Sequence, residues 1–167
     1  MRTGRYVIMG VSGSGKTTVG AMLARALDVE FVDGDDLHPP ENVERMAAGI
    51  ALTDDDRRPW LLAIAARLRA AQRAAAGRVV ACSALKRSYR DVLRREGDAD
   101  VRFVFLKGHR AILEKRMTAR RGHYMPATLL DSQLATLEEP SPNEQAWVCD
   151  IDRSPDAIVA DLMTRIA

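Results

Sequence analysis

The sequence predicts an α/β fold, a doubly wound parallel sheet with helices on both faces, and three observations carry that prediction. Short apolar runs alternate with amphipathic stretches along the 167 residues. No strand follows another without a helix between them, so right-handed crossovers should set the strands parallel. A composition of 47% hydrophobic and 29% charged residues is ordinary for a globular chain and excludes a disordered or collagen-like one. At roughly 100 to 200 residues per domain, the expectation is one domain over 1–167.

Residues 6–9 are too few and too apolar for a surface helix and give the first strand. In 16–27, Val19, Met22, Leu23, Ala26 and Leu27 form the one-sided stripe of a helix lying on a sheet. Residues 29–32 are a second strand. Pro39 and Pro40 open a short helix through Met46. A longer helix follows to about Ala75, with Pro59 in its first turn and Trp60, Leu61, Ile64 and Leu68 on one face. Residues 79–82, 101–106 and 147–151 are further buried strands, the first two separated by a helix around Tyr89, Val92 and Leu93. Helices at about 110–119, 128–137 and 154–166 complete the alternation, the last with Ser154 as N-cap and Pro155 at its first position. Gly122 and Pro126 interrupt a polar run, which marks about 118–127 as a mobile lid.

Lys+Arg 25 against Asp+Glu 23 leaves a net charge of +2, with the basic residues spread along the chain. Nothing there suggests a nucleic acid or membrane partner, so a charged ligand must be met locally. No apolar run approaches the 18 or so residues of a membrane span, and the stretch 6–11 is too short for a signal-peptide core, so a cytoplasmic location is expected. Cys82 and Cys149 sit in no metal-binding spacing and read as small apolar core residues.

Gly10-Val11-Ser12-Gly13-Ser14-Gly15-Lys16-Thr17 matches the phosphate-binding loop of P-loop proteins, between a strand and a helix. Its glycines permit a tight turn whose backbone N–H groups face phosphate oxygens at a helix N-terminus. Lys16 would neutralise β- and γ-phosphate charge, and Thr17, followed by Thr18, would offer its hydroxyl to Mg²⁺. An Asn-Lys-x-Asp guanine-reading motif is absent, because Asn42 and Asn143 are followed by Val43 and Glu144.

After the second strand comes Asp33-Gly34-Asp35-Asp36-Leu37-His38-Pro39. An extended chain there would send Asp33 and Asp35 to the same side, at the carboxyl edge of the sheet where α/β proteins bind ligands. Asp33 is assigned to magnesium, directly or through water, and Asp35 to the acceptor hydroxyl; the alternative is that they cap the next helix. Arg57, Lys86, Arg90, Arg116, Arg120 and Arg121 are further cations at strand ends and near the lid. Lys86 and Arg90, four apart, would share a helical face suited to an anionic substrate, while any one of the six could equally be a solvated surface residue. Arg116 and Arg120, also four apart, lead into the lid, where they could close on the γ-phosphate. His38 and His123 are too far apart in sequence to pair as metal ligands.

At these residues the sequence resembles the gluconate kinase family of small P-loop enzymes. The resemblance runs through Met9-Gly10-Val11-Ser12-Gly13-Ser14-Gly15-Lys16 and Asp33-Gly34-Asp35-Asp36-Leu37-His38-Pro39 to Leu52-Thr53-Asp54-Asp55-Asp56-Arg57-Arg58-Pro59-Trp60-Leu61. It continues with Cys82-Ser83-Ala84-Leu85-Lys86-Arg87-Ser88-Tyr89-Arg90-Asp91, Leu106-Lys107-Gly108, Arg121-Gly122-His123-Tyr124-Met125 and the stretch 133–140. Tyr124 stands where the family usually has Phe, and Thr53 where it usually has Asn. The resemblance implies a three-layer P-loop kinase fold with strand order 2-3-1-4-5 and ATP-dependent phosphorylation of D-gluconate to 6-phosphogluconate by a homodimer. It implies acceptor binding by Asp35, His38, Arg57, Lys86 and Arg90, an adenine sandwich of Arg116 and Pro155 beside Arg153, and Arg120 as the lid arginine. That strand order would hold Cys82 and Cys149 about 14 Å apart, too far for a disulfide. The rivals are a shikimate or adenylylsulfate kinase of the same fold, the latter carrying an arginine where this chain has His38, and a nucleotide-binding regulator without turnover.

Overall fold

The computed structural model describes residues 3–119 and 127–167. Five strands form one parallel sheet: β1 (Arg5–Met9), β2 (Glu30–Asp33), β3 (Arg78–Ala81), β4 (Arg102–Lys107) and β5 (Trp147–Asp150), in the order β2-β3-β1-β4-β5. The helices are α1 (Lys16–Leu27), α2 (Pro40–Ala47), α3 (Asp54–Arg73), α4 (Arg87–Val92), α5 (Arg110–Ala119), α6 (Ala127–Thr136) and α7 (Pro155–Ile166). None of the described helices is long and apolar enough to cross a membrane.

Burial of both sheet faces follows from the pleat. On β1, Tyr6 and Ile8 enter a core shared with α1, α5, α6 and α7, while Val7 and Met9 enter the opposite core against α3 and α4. Cys82 and Cys149 are buried and unbonded, one following β3 and the other on β5, with β1 and β4 between those strands.

Two local expectations are corrected. Pro59 lies inside α3, not in its first turn, because the helix starts earlier: Thr53 Oγ1 accepts from the Asp56 N–H at 3.1 Å while Asp56 Oδ2 accepts from the Thr53 N–H at 2.9 Å. That reciprocal cap is a sequence signal in its own right. The chain after β2 is also not extended. Residues Gly34–Leu37 form a 3₁₀ turn, and Asp33 caps it by accepting from the Asp35 N–H at 3.1 Å. A Cβ at Gly34 would stand 2.4 Å from the Ala81 carbonyl oxygen, so only glycine lets this turn lie against the end of β3.

Candidate active site

The loop between β1 and α1 is built by glycine geometry. Gly13 and Gly15 have φ of +82° and +95°, and Gly15 caps α1 in the left-handed region. The Ser14 N–H closes the turn on the Val11 carbonyl at 3.2 Å, and Lys16 Nζ donates to the same carbonyl at 3.1 Å. Gly10 N–H is held by the Ser83 carbonyl at 3.2 Å, joining this loop to the chain after β3.

Thr17 Oγ1 donates to Asp33 Oδ2 at 3.2 Å, so the first turn of α1 meets the end of β2 in a pair of hard oxygen donors. Such a pair fits a divalent cation such as Mg²⁺. Thr18 is exposed beside it. Asp35 is exposed at the same edge, and it and Lys16 both act electrostatically on the Cys82 thiol, which brings both charges near the end of β3. Burial first, then the Asp35 charge against the opposing pull of an Ala84 backbone hydrogen bond and of Lys16, pushes that thiol up to about 12. Cys82 is therefore an inert core thiol.

Next to Asp35, the His38 ring stacks on Trp60 with centroids 4.3 Å apart, and Trp60 Nε1 donates to the Gly34 carbonyl at 2.7 Å. Asn42 Nδ2 lies 3.4 Å from His38 Nδ1 and donates to the Asp56 carbonyl at 2.8 Å, tying α2 to α3. Burial lowers the His38 pKa, with Asp35 opposing and Arg57 assisting. The burial therefore favours the neutral imidazole of His38.

Arg57 and Lys86 converge from α3 and the start of α4. Arg57 donates to the Tyr89 hydroxyl at 2.9 Å, and Lys86 Nζ donates to both Asp54 carboxylate oxygens at 3.1 and 3.2 Å. Tyr89 in turn donates to Asp54, and both cations lie 5.6 Å from the Tyr89 ring centroid. The Tyr89 hydroxyl and then Lys86 pull the Asp54 carboxyl below its ordinary range. Two cations against one carboxylate leave the cluster net positive.

Arg90 does not join this cluster, which corrects the expectation that it shares a face with Lys86. Its side chain is 0% exposed and grips Glu144 with both ends of the guanidinium, Nε to Oε1 at 2.7 Å and NH2 to Oε2 at 3.1 Å. The remaining donors meet the carbonyls of Ala84, Leu85 and Glu138. Ala84 has a φ of +45°, and Arg90 holds that strained residue from behind. No donor of this buried fork faces solvent, so its role is to shape the 84–86 turn that carries Lys86.

On the opposite side of the loop, Arg116 of α5 donates to the Ile151 carbonyl, beside the turn that holds Arg153 and Pro155. An added Cβ at Gly15 would lie 3.7 Å from an Arg116 nitrogen, so this cation also borders the phosphate loop. Ser154 caps α7 by accepting from the Ala157 N–H at 3.1 Å, as expected. Arg120, Arg121, His123 and the central part of the expected lid lie outside the described residues.

The sequence reading missed four residues: Tyr89, Asp54, Glu144 and Gln133. Tyr89 stands three residues after Lys86 and Asp54 three before Arg57, a helical spacing that could have paired them. Glu144 and Gln133 meet partners across long stretches of chain, for which one sequence carries no signal.

A family model described as an AAA domain matches residues 6–140. The thermoresistant gluconokinase of Escherichia coli (strain K12) is 46% identical over 156 residues, covering 93% of this chain and 89% of that protein. A crystal structure of a gluconokinase from Sinorhizobium meliloti 1021 superposes with a TM-score of 0.89 at 47% identity, covering 99% of this chain and 92% of the other. A shikimate kinase from Aquifex aeolicus vf5 superposes at 0.59 with 16% identity, which shows a common fold alone.

Proposed function

The chain belongs to the gluconokinase family of P-loop kinases and phosphorylates gluconate with ATP, and from that premise we propose how its residues divide the work. The observation that supports the proposal is the junction at Asp33, which accepts from Thr17 at the end of the loop of Gly10, Val11, Ser12, Gly13, Ser14, Gly15, Lys16 and Thr17 and from the Asp35 N–H at the start of the next turn; the Arg57–Lys86 cluster offers cations to an anionic acceptor. The loop's N–H groups and Lys16 hold the β- and γ-phosphates, while Arg116, Arg153 and Pro155 border the adenine.

Asp35 accepts the proton of the gluconate 6-hydroxyl as that oxygen attacks the γ-phosphorus. The bond from the γ-phosphorus to the bridging oxygen breaks, ADP leaves, and Lys16 balances charge growing on the phosphoryl oxygens. The gluconate carboxylate lies toward Arg57 and Lys86, and neutral His38 hydrogen-bonds acceptor hydroxyls. Thr17 and Asp33 would hold Mg²⁺, whose chemistry is neutralisation of the β- and γ-phosphates. Arg120 would meet the γ-phosphate. The proposal extends to a cytoplasmic homodimer with one kinase domain over 1–167.

The experiment is ADP release from Mg-ATP in the presence of gluconate, shikimate, adenylylsulfate or AMP, with products checked by mass. Turnover with gluconate, together with its loss in Asp35→Asn at unchanged ATP affinity, supports this division. Full turnover in Asp35→Asn refutes it.

A further inference from the structure

We propose that Gln133, on α6, is a positioning residue for phosphoryl transfer, pinning the phosphate loop at Ser12 and fixing it relative to the acceptor-side turn. The inference rests on the reading that residues 10–17 bind the phosphates of ATP. Gln133 is 121 residues from Ser12 in sequence, yet its side-chain amide meets it twice. Oε1 accepts from the Ser12 backbone N–H at 2.7 Å, and Nε2 donates to Ser12 Oγ at 3.0 Å. An amide is the side chain that provides an acceptor and a donor side by side for this pair.

The contact falls at the corner of the loop. Ser12 precedes Gly13, whose positive φ reverses the chain, and the Ser14 N–H closes the same turn on Val11. A Cβ added at Gly13 would lie 2.9 Å from Met117, so α5 bounds the loop on that side and Gln133 holds it at Ser12. Phosphate-facing N–H groups are useful only while this turn keeps its shape, and misplacement by about 1 Å can cost as much as a hundredfold in rate.

Gln133 also links the loop to the acceptor side. Its own carbonyl accepts from the Leu137 N–H at 2.9 Å, and the next residue, Glu138, donates its N–H to the Leu85 carbonyl at 2.8 Å. Glu138 Oε1 accepts from the Arg87 N–H at 2.8 Å, and the Glu138 carbonyl accepts from Arg90 at 2.9 Å. Lys86 sits between the two anchored residues Leu85 and Arg87. The six residues from Gln133 to Glu138 therefore run from the phosphate loop to the turn bearing the acceptor-side lysine.

Two variants test this. Gln133→Leu removes both hydrogen bonds at similar volume, while Gln133→Glu keeps an acceptor for the Ser12 N–H and a second for its hydroxyl, at the price of a negative charge near the triphosphate. Binding of a non-hydrolysable ATP analogue to the wild type is measured first, and no binding there sinks the reading of the loop rather than the role of Gln133. With binding established, Gln133→Leu is expected to lower kcat about tenfold at an unchanged thermal midpoint and a gluconate KM within about twofold. Gln133→Glu is expected to recover most of the wild-type kcat while raising the ATP KM, an increase that shrinks as salt is added. A Gln133→Leu kcat within about twofold of wild type, a loss explained by a lower folded fraction, or a Gln133→Glu kcat as low as that of the leucine variant would each overturn the proposal.

Discussion

Replacing Glu144 by Gln tests whether the buried pair with Arg90 holds the acceptor side of the molecule together. Glu144 has a side chain 1% exposed and receives Arg90 twice, Arg94 at 3.0 Å and the Ser141 N–H at 2.9 Å. Burial alone would raise its pKa, but the hydrogen bonds from Arg90, Ser141 and Arg94 outweigh that and bring it from 4.5 down to about 2. At about 1.36 kcal/mol per unit the depression corresponds to roughly 3 kcal/mol of stability. Removing one partner of a buried pair gives a similar figure, about 3–5 kcal/mol, because the other charge is left uncompensated. For a chain of this size the thermal midpoint should fall by roughly 6–12 °C. The assay is urea unfolding of wild type and Glu144→Gln from pH 7 to pH 2. The folded pKa is depressed, so the contribution is complete above the unfolded value near 4.5 and is lost as pH falls through about 2. The difference between the two proteins, which cancels the titration of Asp54 and Asp56, should stay constant down to about pH 5 and then close. A difference under about 1 kcal/mol at pH 7, or one that does not change between pH 5 and pH 2.5, would refute the reasoning.

Arg57→Leu and Lys86→Met should each raise the gluconate KM severalfold with the ATP KM unchanged; initial rates at saturating ATP check this, and an unmoved gluconate KM in both would take the Asp54–Tyr89 cluster out of the acceptor site. Lys16→Ala should abolish transfer while leaving the fold intact, measured by ADP release alongside circular dichroism. Gly34→Ala forces a Cβ to within 2.4 Å of the Ala81 carbonyl and should destabilise by about 1–3 kcal/mol in a thermal melt. Trp60→Phe deprives the Gly34 carbonyl of its donor and weakens the His38 stack, so a comparable loss of stability should come with a higher gluconate KM.

Legibility in the sequence follows the distance over which each contact is made. The β1–loop–α1 unit was readable because its chemistry is local: the strand, the positive-φ glycines, Lys16 and Thr17 lie within one short stretch, and α1 begins and ends where its apolar stripe does. Asp33 and Asp35 were placed at this sheet edge by the same local logic but joined by the wrong geometry, since extrapolating the strand ignored that Asp33 could cap a tight turn through the Asp35 N–H. Lys86 and Arg90 expose the deeper limit. Four-residue spacing says that two side chains share a helical side, yet it does not say how deep that side lies, and here the lysine side chain is 33% exposed and the arginine 0%. What separates them is Glu144, 54 residues from Arg90, whose carboxylate makes burial of a guanidinium tolerable and thereby turns an expected substrate ligand into the support of the turn that carries Lys86. Gln133 belongs with Glu144 in this respect. A glutamine on a helix is unremarkable until the fold brings the phosphate loop to it, so the residues proposed to meet the reacting groups were legible from local pattern, while the residues that hold them in place, which act across long stretches of chain, were not.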